Sequence, residues 1–122
     1  MSCTQAAGLS LQWLRNNVCT EEMAEAKEKG VDPYEIMTAE AAQVPIGSEK
    51  LLYLPYLMGE RSPINDTNAR GTFIGMTMDT TRADLVQAVL EGVAFAIRDS
   101  VEVARSLGIT INTSKICGGG AK

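Results

Sequence analysis

The sequence predicts an α/β unit of about four helices and two or three short strands, on three observations. Helical apolar spacing recurs in several segments, with start and stop residues at their ends. Two short apolar runs, Leu51–Leu54 and Gly71–Met76, lie between turn residues, as buried strands do. A third run, Ser114–Cys117, leads directly into Gly118-Gly119-Gly120. With 122 residues and 45% apolar content, the chain has material for one core. Leu, Ile, Val, Met and Ala must build it, because aromatics make up only 5%.

The first helix is expected over Gly8–Val18, where Leu11, Leu14 and Val18 share a stripe and Trp13 beside it supplies packing bulk. The charged run Glu21–Lys29 follows. Thr20 is placed to cap it and Gly30 to close it, so it reads as a solvated helix whose charges carry no function. Asp32-Pro33-Tyr34-Glu35 is a helix start: Asp32 caps, Pro33 takes the first helical position, and Glu35 sits where a capping box places its acid. That helix stops before Pro45, since the residue ahead of a proline avoids helical angles. Ile46-Gly47-Ser48 then turns the chain into the first strand, which Pro55 ends.

From Tyr56 to Arg70 runs a long loop, with Gly59, Pro63, Asn65, Asp66 and Asn68 as turn residues around Glu60 and Arg61. Loops of this length inside one domain are often functional. In the second strand, Phe73 is the residue expected to face a core. Thr81-Arg82-Ala83-Asp84 reads as a capping box with Asp in the usual Glu position, and it opens the longest helix. Leu85, Ala88, Val89, Gly92, Val93, Ala96 and Ile97 keep the helical period, and Gly108 ends it. Because Ala88, Gly92 and Ala96 are small, another element must approach closely there. Ile109–Asn112 is a connection or short strand.

Eleven basic against fifteen acidic residues leave a formal charge of −4 and no basic stripe. Nucleic acid and anionic membranes are therefore not the expected partners. No stretch is long and apolar enough to span a bilayer, and the N-terminus lacks a signal-peptide pattern. Cys3, Cys19 and Cys117 are odd in number and lack metal-like or redox-like spacing, which fits a reducing, cytoplasmic setting. The absence of His removes a histidine base or metal ligand from this segment.

Consecutive glycines after a strand permit positive φ and let a flat or charged ligand approach the backbone. The N–H groups of a following helix would help to hold such a ligand. On the residues alone, a flexible tail is the alternative. A wider pattern bears on that choice. Gly71-Thr72-Phe73-Ile74-Gly75-Met76, followed by Asp84-Leu85 and Ala88-Val89-Leu90-Glu91, resembles the C-terminal signature of the FGGY carbohydrate kinases. Upstream, Tyr53-Leu54-Pro55-Tyr56-Leu57 and Gly59-Glu60-Arg61-Ser62-Pro63 resemble the xylulokinase form of the preceding strand and loop. Downstream, the segment from Ile116 to Lys122 resembles the family's nucleotide-binding strand and turn. The matches run in family order from Leu51 to Lys122.

The resemblance implies part of the C-terminal, nucleotide-side domain of an actin-like ATPase (ribonuclease H-like), truncated at both ends over residues 1–122. It implies a parent kinase that uses ATP and Mg²⁺ to phosphorylate a ketopentose such as D-xylulose. The alternatives are a glycerol, gluconate, ribulose or fuculose kinase, or a stand-alone nucleotide-binding or assembly module. By the resemblance, Gly118, Gly119, Gly120 and Ala121 line the adenosine, and Lys122 fills a position that is basic in relatives. The family's catalytic aspartate lies upstream, so neither Asp66 nor Asp79 is a candidate base, and no catalytic or metal-binding residue is expected. The segment alone is expected to be inactive, since phosphoryl transfer depends on positioning both substrates. Arg61 is a candidate loop contact to the cleft; the plainer reading is a surface ion pair with Glu60 that orders the loop. Gly75 and Gly92 are expected to serve backbone and packing. Glu91 has two readings, a loop anchor or a residue facing the cleft. Missing strands would leave open sheet edges, and self-association is one way to cover them.

Overall fold

Thr81 and Asp84 start the element on which the rest of the molecule is built. In the computed structural model, which describes residues 6–61 and 64–115, the Thr81 side chain accepts from the Asp84 N–H at 3.2 Å. The Asp84 carboxylate accepts in return from the Thr81 N–H at 2.9 Å. This box opens a 25-residue helix, Arg82–Ser106, preceded by helices α1 (Ala7–Asn17), α2 (Thr20–Lys29) and α3 (Pro33–Ala41) and therefore called α4. A 3-10 turn, Ser48–Lys50, leads into β1 (Leu52–Leu54), and β2 (Thr72–Ile74) precedes α4.

The two strands are antiparallel, with Leu52 opposite Ile74, Tyr53 opposite Phe73 and Leu54 opposite Thr72. Alternation along a strand turns the Tyr53–Phe73 pair inward. Their rings lie 4.8 Å apart at 40°. β1, α1 and α3 pack directly on α4, while α2 packs on α1 and α3. The core joins Leu14, Cys19, Met37 and Ala41 from the helical layer, Leu51 and Tyr53 from β1 and its approach, and Val86, Ala88 and Val89 from α4. Leu14, Met37, Val86 and Val89 are fully buried, each contributing about 1.5–3 kcal/mol.

Several expectations need correction. Trp13 is not packing bulk; it is 41% exposed. Ser10 and Leu14, one turn apart, form the buried stripe of α1, and Trp13 lies about 100° around the helix from Leu14. Thr20 is not a cap but the first residue of α2, preceded by Cys19. The reason is continuity: the Val18 and Cys19 amides both bond to the Leu14 carbonyl, so α1 runs into α2 without a free cap position. Nor is α2 solvated all round, since Glu22 and Ala26 are buried. In α3, Asp32 caps by accepting from the Tyr34 N–H at 3.0 Å, but the Glu35 side chain closes no box. Ser114 and Lys115 join no sheet, and the rest of that expected strand lies outside the described residues, as do Cys3 and Cys117. Among the described residues, no helix is long and apolar enough to cross a membrane.

Candidate functional site

The signature positions on the hairpin and α4 meet in one place. Gly92 faces β1: a Cβ there would overlap the Tyr53 carbonyl oxygen and stand 3.1 Å from both Tyr53 C and Cδ1. This is the close approach that the small stripe of α4 predicted, and β1 is the neighbour. At Gly75 a Cβ would lie 2.8 Å from the Lys50 carbonyl oxygen, so the turn before β1 presses on the exit of β2.

Glu91, one residue before Gly92, holds that turn. Its Oε1 accepts from the Gly47 N–H at 2.9 Å and from Gln87 Nε2 at 3.1 Å. Its Oε2 accepts from the Ser48 hydroxyl at 2.9 Å. Of the two readings of Glu91, the structure realises the loop anchor. The turn needs one: Gly47, Ser48, Glu49 and Lys50 have φ of 99°, 49°, 55° and 69°. For L-residues such left-handed angles cost roughly 1–2 kcal/mol each. No sequence signal marks Ser48, Glu49 or Lys50 for this conformation.

Residues 56–61 and 64–70 belong to a loop that folds back on itself. The Glu60 and Asp66 backbones exchange hydrogen bonds at 2.9 and 3.0 Å, and Asp66 Oδ1 accepts from the Asn68 N–H at 2.8 Å. Gly59, at φ 74°, fits because a Cβ would meet the Thr67 carbonyl oxygen at 2.7 Å. Glu60 is buried, and its Oε1 accepts from the Arg61 backbone N–H at 2.9 Å. The expected Glu60–Arg61 ion pair is thus replaced by a carboxylate-to-backbone bond. Arg61 is exposed, and among the described residues its guanidinium forms no ion pair. Burial, with Asp99 and Glu60 nearby, raises the Tyr56 phenol.

Sequence reasoning missed a second polar cluster. Arg82, the first residue of α4, reaches Glu21 at 2.6 Å and the buried Glu22 at 2.9 Å. Its hydrogen bond to Glu21 lowers that carboxyl and raises the guanidinium. Burial first, then Glu22 and Glu40, push the Cys19 thiol up to about 11. A thiol held neutral in this way is not a nucleophile. Only the inward spacing of Glu22 and Ala26 hinted at this cluster. No group of three or more His, Cys, Asp or Glu among the described residues is arranged to hold a metal ion.

Gly118, Gly119, Gly120, Ala121 and Lys122 lie outside the described residues. Among the described residues, an open depression of about 400 Å³ lies at the end of α4, lined by Arg105, Ile109 and Ile111 among others. The sequence profile of the FGGY family of carbohydrate kinases, C-terminal domain, matches residues 1–122. The chain belongs to that family. A xylulose kinase of Staphylococcus xylosus is 37% identical over 122 residues, covering 100% of this chain and 23% of the relative. A gluconokinase of Bacillus subtilis is 40% identical over 88 residues, 72% of this chain and 17% of the relative. The crystal structure of xylulose kinase from Rhodospirillum rubrum superposes with a TM-score of 0.73 at 37% identity, covering 88% of this chain and 20% of that one. With four helices and two strands described, this FGGY chain has part of the actin-like ATPase fold. It spans less than a quarter of the length of these curated relatives.

Proposed function

We propose that this chain is the nucleotide-side part of an ATP-dependent sugar kinase that phosphorylates a ketopentose such as D-xylulose. The observation that carries the reading is similarity to xylulose kinases along the whole of this chain, the Staphylococcus xylosus enzyme being 37% identical over all 122 residues. The motifs support it in order, from Gly59-Glu60-Arg61 through Glu91-Gly92 to the terminal glycines. Gluconate is the second candidate sugar, favoured by the Bacillus subtilis gluconokinase at 40% identity over 88 residues.

In this reading Gly118, Gly119, Gly120 and Ala121 line the adenosine by backbone contact, and the exposed Arg61 reaches the cleft from its folded loop. ATP is the phosphoryl donor, and Mg²⁺ comes with it; no described residue is assigned to the metal. Phosphoryl transfer needs positioning and charge stabilisation around both substrates, and no aspartate of this chain matches the family's base, so the chain alone is inactive. The surface fits a part of a larger domain. Leu52 and Ile74, paired on the outer face of the hairpin, are each about half exposed, and α4 buries no residue after Ala96. Alone in solution, the chain self-associates through such surface; a monomeric mass by light scattering at high concentration would argue against this.

The test substitutes this chain for the matching 122 residues of the Staphylococcus xylosus xylulose kinase and measures ADP release with D-xylulose. The chimera is expected to turn over and the chain alone is not. Gly119→Val in the chimera should raise KM for ATP and leave KM for D-xylulose unchanged. A folded chimera whose ATP kinetics ignore that substitution would overturn the nucleotide-side assignment.

A further inference from the structure

Where α2, α3 and the start of α4 meet, two carboxyl oxygens are buried without a donor, Oε2 of Glu22 and Oε2 of Glu40. Glu22 is 2% exposed, and its other oxygen is held by Arg82 Nε at 2.9 Å. The second arm of Arg82 goes to Glu21. One guanidinium thus serves two carboxylates, and among the described residues Glu40 forms no salt bridge. The other groups facing Glu40 offer no free cation. From α2 these are Cys19, with its neutral thiol, and Glu25, whose carboxylate holds the Lys29 ammonium at 2.6 Å. Glu35, on α3 itself, shares with Glu40, Glu25 and Lys29 the lining of an open groove between the two helices.

Buried acceptors without donors are unfavourable and uncommon. Glu22 and Glu40 belong to the packed pair α2 and α3, and a side-chain hydrogen bond links the two carboxyl groups. A single proton between them turns one oxygen into a donor and gives the other its partner, which accounts for both orphans at once. We propose that Glu22 and Glu40 share one proton, resident on Glu40, and that this carboxyl–carboxylate bond is a pH-operated latch between α2 and α3. Burial first, then the Glu22 charge and the bond to it, raise the Glu40 carboxyl; Arg82 opposes them and Glu25 adds to them. A carboxyl raised on folding stabilises fully below its unfolded midpoint, and that stabilisation is lost as pH rises through the folded midpoint. The latch therefore holds in mild acid and opens toward alkaline pH. The contact between α4 and β1 contains none of these groups.

The direct test is a carboxyl carbon-13 NMR titration of the unmodified chain. Glu40 should titrate above the ordinary glutamate value of about 4.3. A Glu40 midpoint at or below that value overturns the proposal. So does a midpoint that falls when Mg²⁺ is added, which would identify a cation between the carboxylates. Glu40→Gln supplies a permanent N–H donor in place of the proton. As pH rises from 5 to 8, the unfolding constant of the parent chain should climb relative to this variant. The climb is about tenfold for each pH unit between the folded and unfolded Glu40 midpoints. Parallel pH profiles would overturn the latch.

Discussion

Replacing Gly92 with Ala sets two effects of opposite sign against each other, and the structure decides which wins. Position 92 is in the middle of α4, where Ala is favoured over Gly by about 0.8–1.0 kcal/mol. Against this, the new methyl overlaps the Tyr53 carbonyl oxygen and crowds Tyr53 C and Cδ1 at 3.1 Å. The obstacle is backbone, and it is held from three directions. Tyr53 pairs with Phe73 in the ladder, its ring packs on the Phe73 ring at 4.8 Å, and its hydroxyl bonds to Ser10 Oγ at 3.1 Å. Overpacking of a dense core costs about 1–3 kcal/mol, and more where the neighbour cannot turn aside. The expected net result of Gly92→Ala is a loss of up to about 2 kcal/mol, read as a lower urea midpoint by circular dichroism at unchanged slope. Gly8→Ala is the internal control. Gly8 is also helical, but a Cβ there meets nothing within 4 Å. That substitution should leave stability unchanged or raise it by up to about 1 kcal/mol. If Gly92→Ala stabilises as Gly8→Ala does, β1 does not pack on α4 as described.

Other perturbations probe the polar anchors. Glu91→Ala removes the acceptor for the Gly47 N–H and the Ser48 hydroxyl. It should cost about 1.5–3 kcal/mol and raise amide exchange across residues 47–50, with Glu91→Gln recovering part of the loss. Arg82→Met leaves the buried Glu22 carboxylate without its cation. Losing one partner of a buried pair is destabilising, and the 41% exposure of the Arg82 side chain moderates the loss, which should appear as a lower midpoint in the same urea titration. Cys19, buried and with its thiol pushed to about 11, should resist iodoacetamide in the native chain at pH 8 and react on unfolding, as mass mapping of its peptide would report.

The family was legible because its motifs are local strings in a fixed order. Fold class was legible because helix signals act within a turn. The Thr81–Asp84 box, the Asp32-Pro33 start and the left-handed Gly30 and Gly108 ends each depend on residues a few positions apart. The small stripe of Ala88, Gly92 and Ala96 also announced a close neighbour, since nothing else explains a helix face without bulk. Its identity, β1, was a tertiary outcome.

The polar side chains divide along the same line. Nothing near Glu22 in sequence names its partner, because Arg82 is 60 residues away. Glu91 reads as one of two things until the turn 44 residues upstream is placed against it. Glu60 looks like half of a surface pair until it is buried and the Arg61 amide donates to its carboxylate. Trp13 looks like core until Ser10 and Leu14 take the inner face of α1. Sequence alone determined where most helices begin and end, because capping and turn chemistry are short-range. Burial and hydrogen-bond partnership belong to pairs of distant segments, so tertiary structure alone decided which charges are anchors and which are solvated.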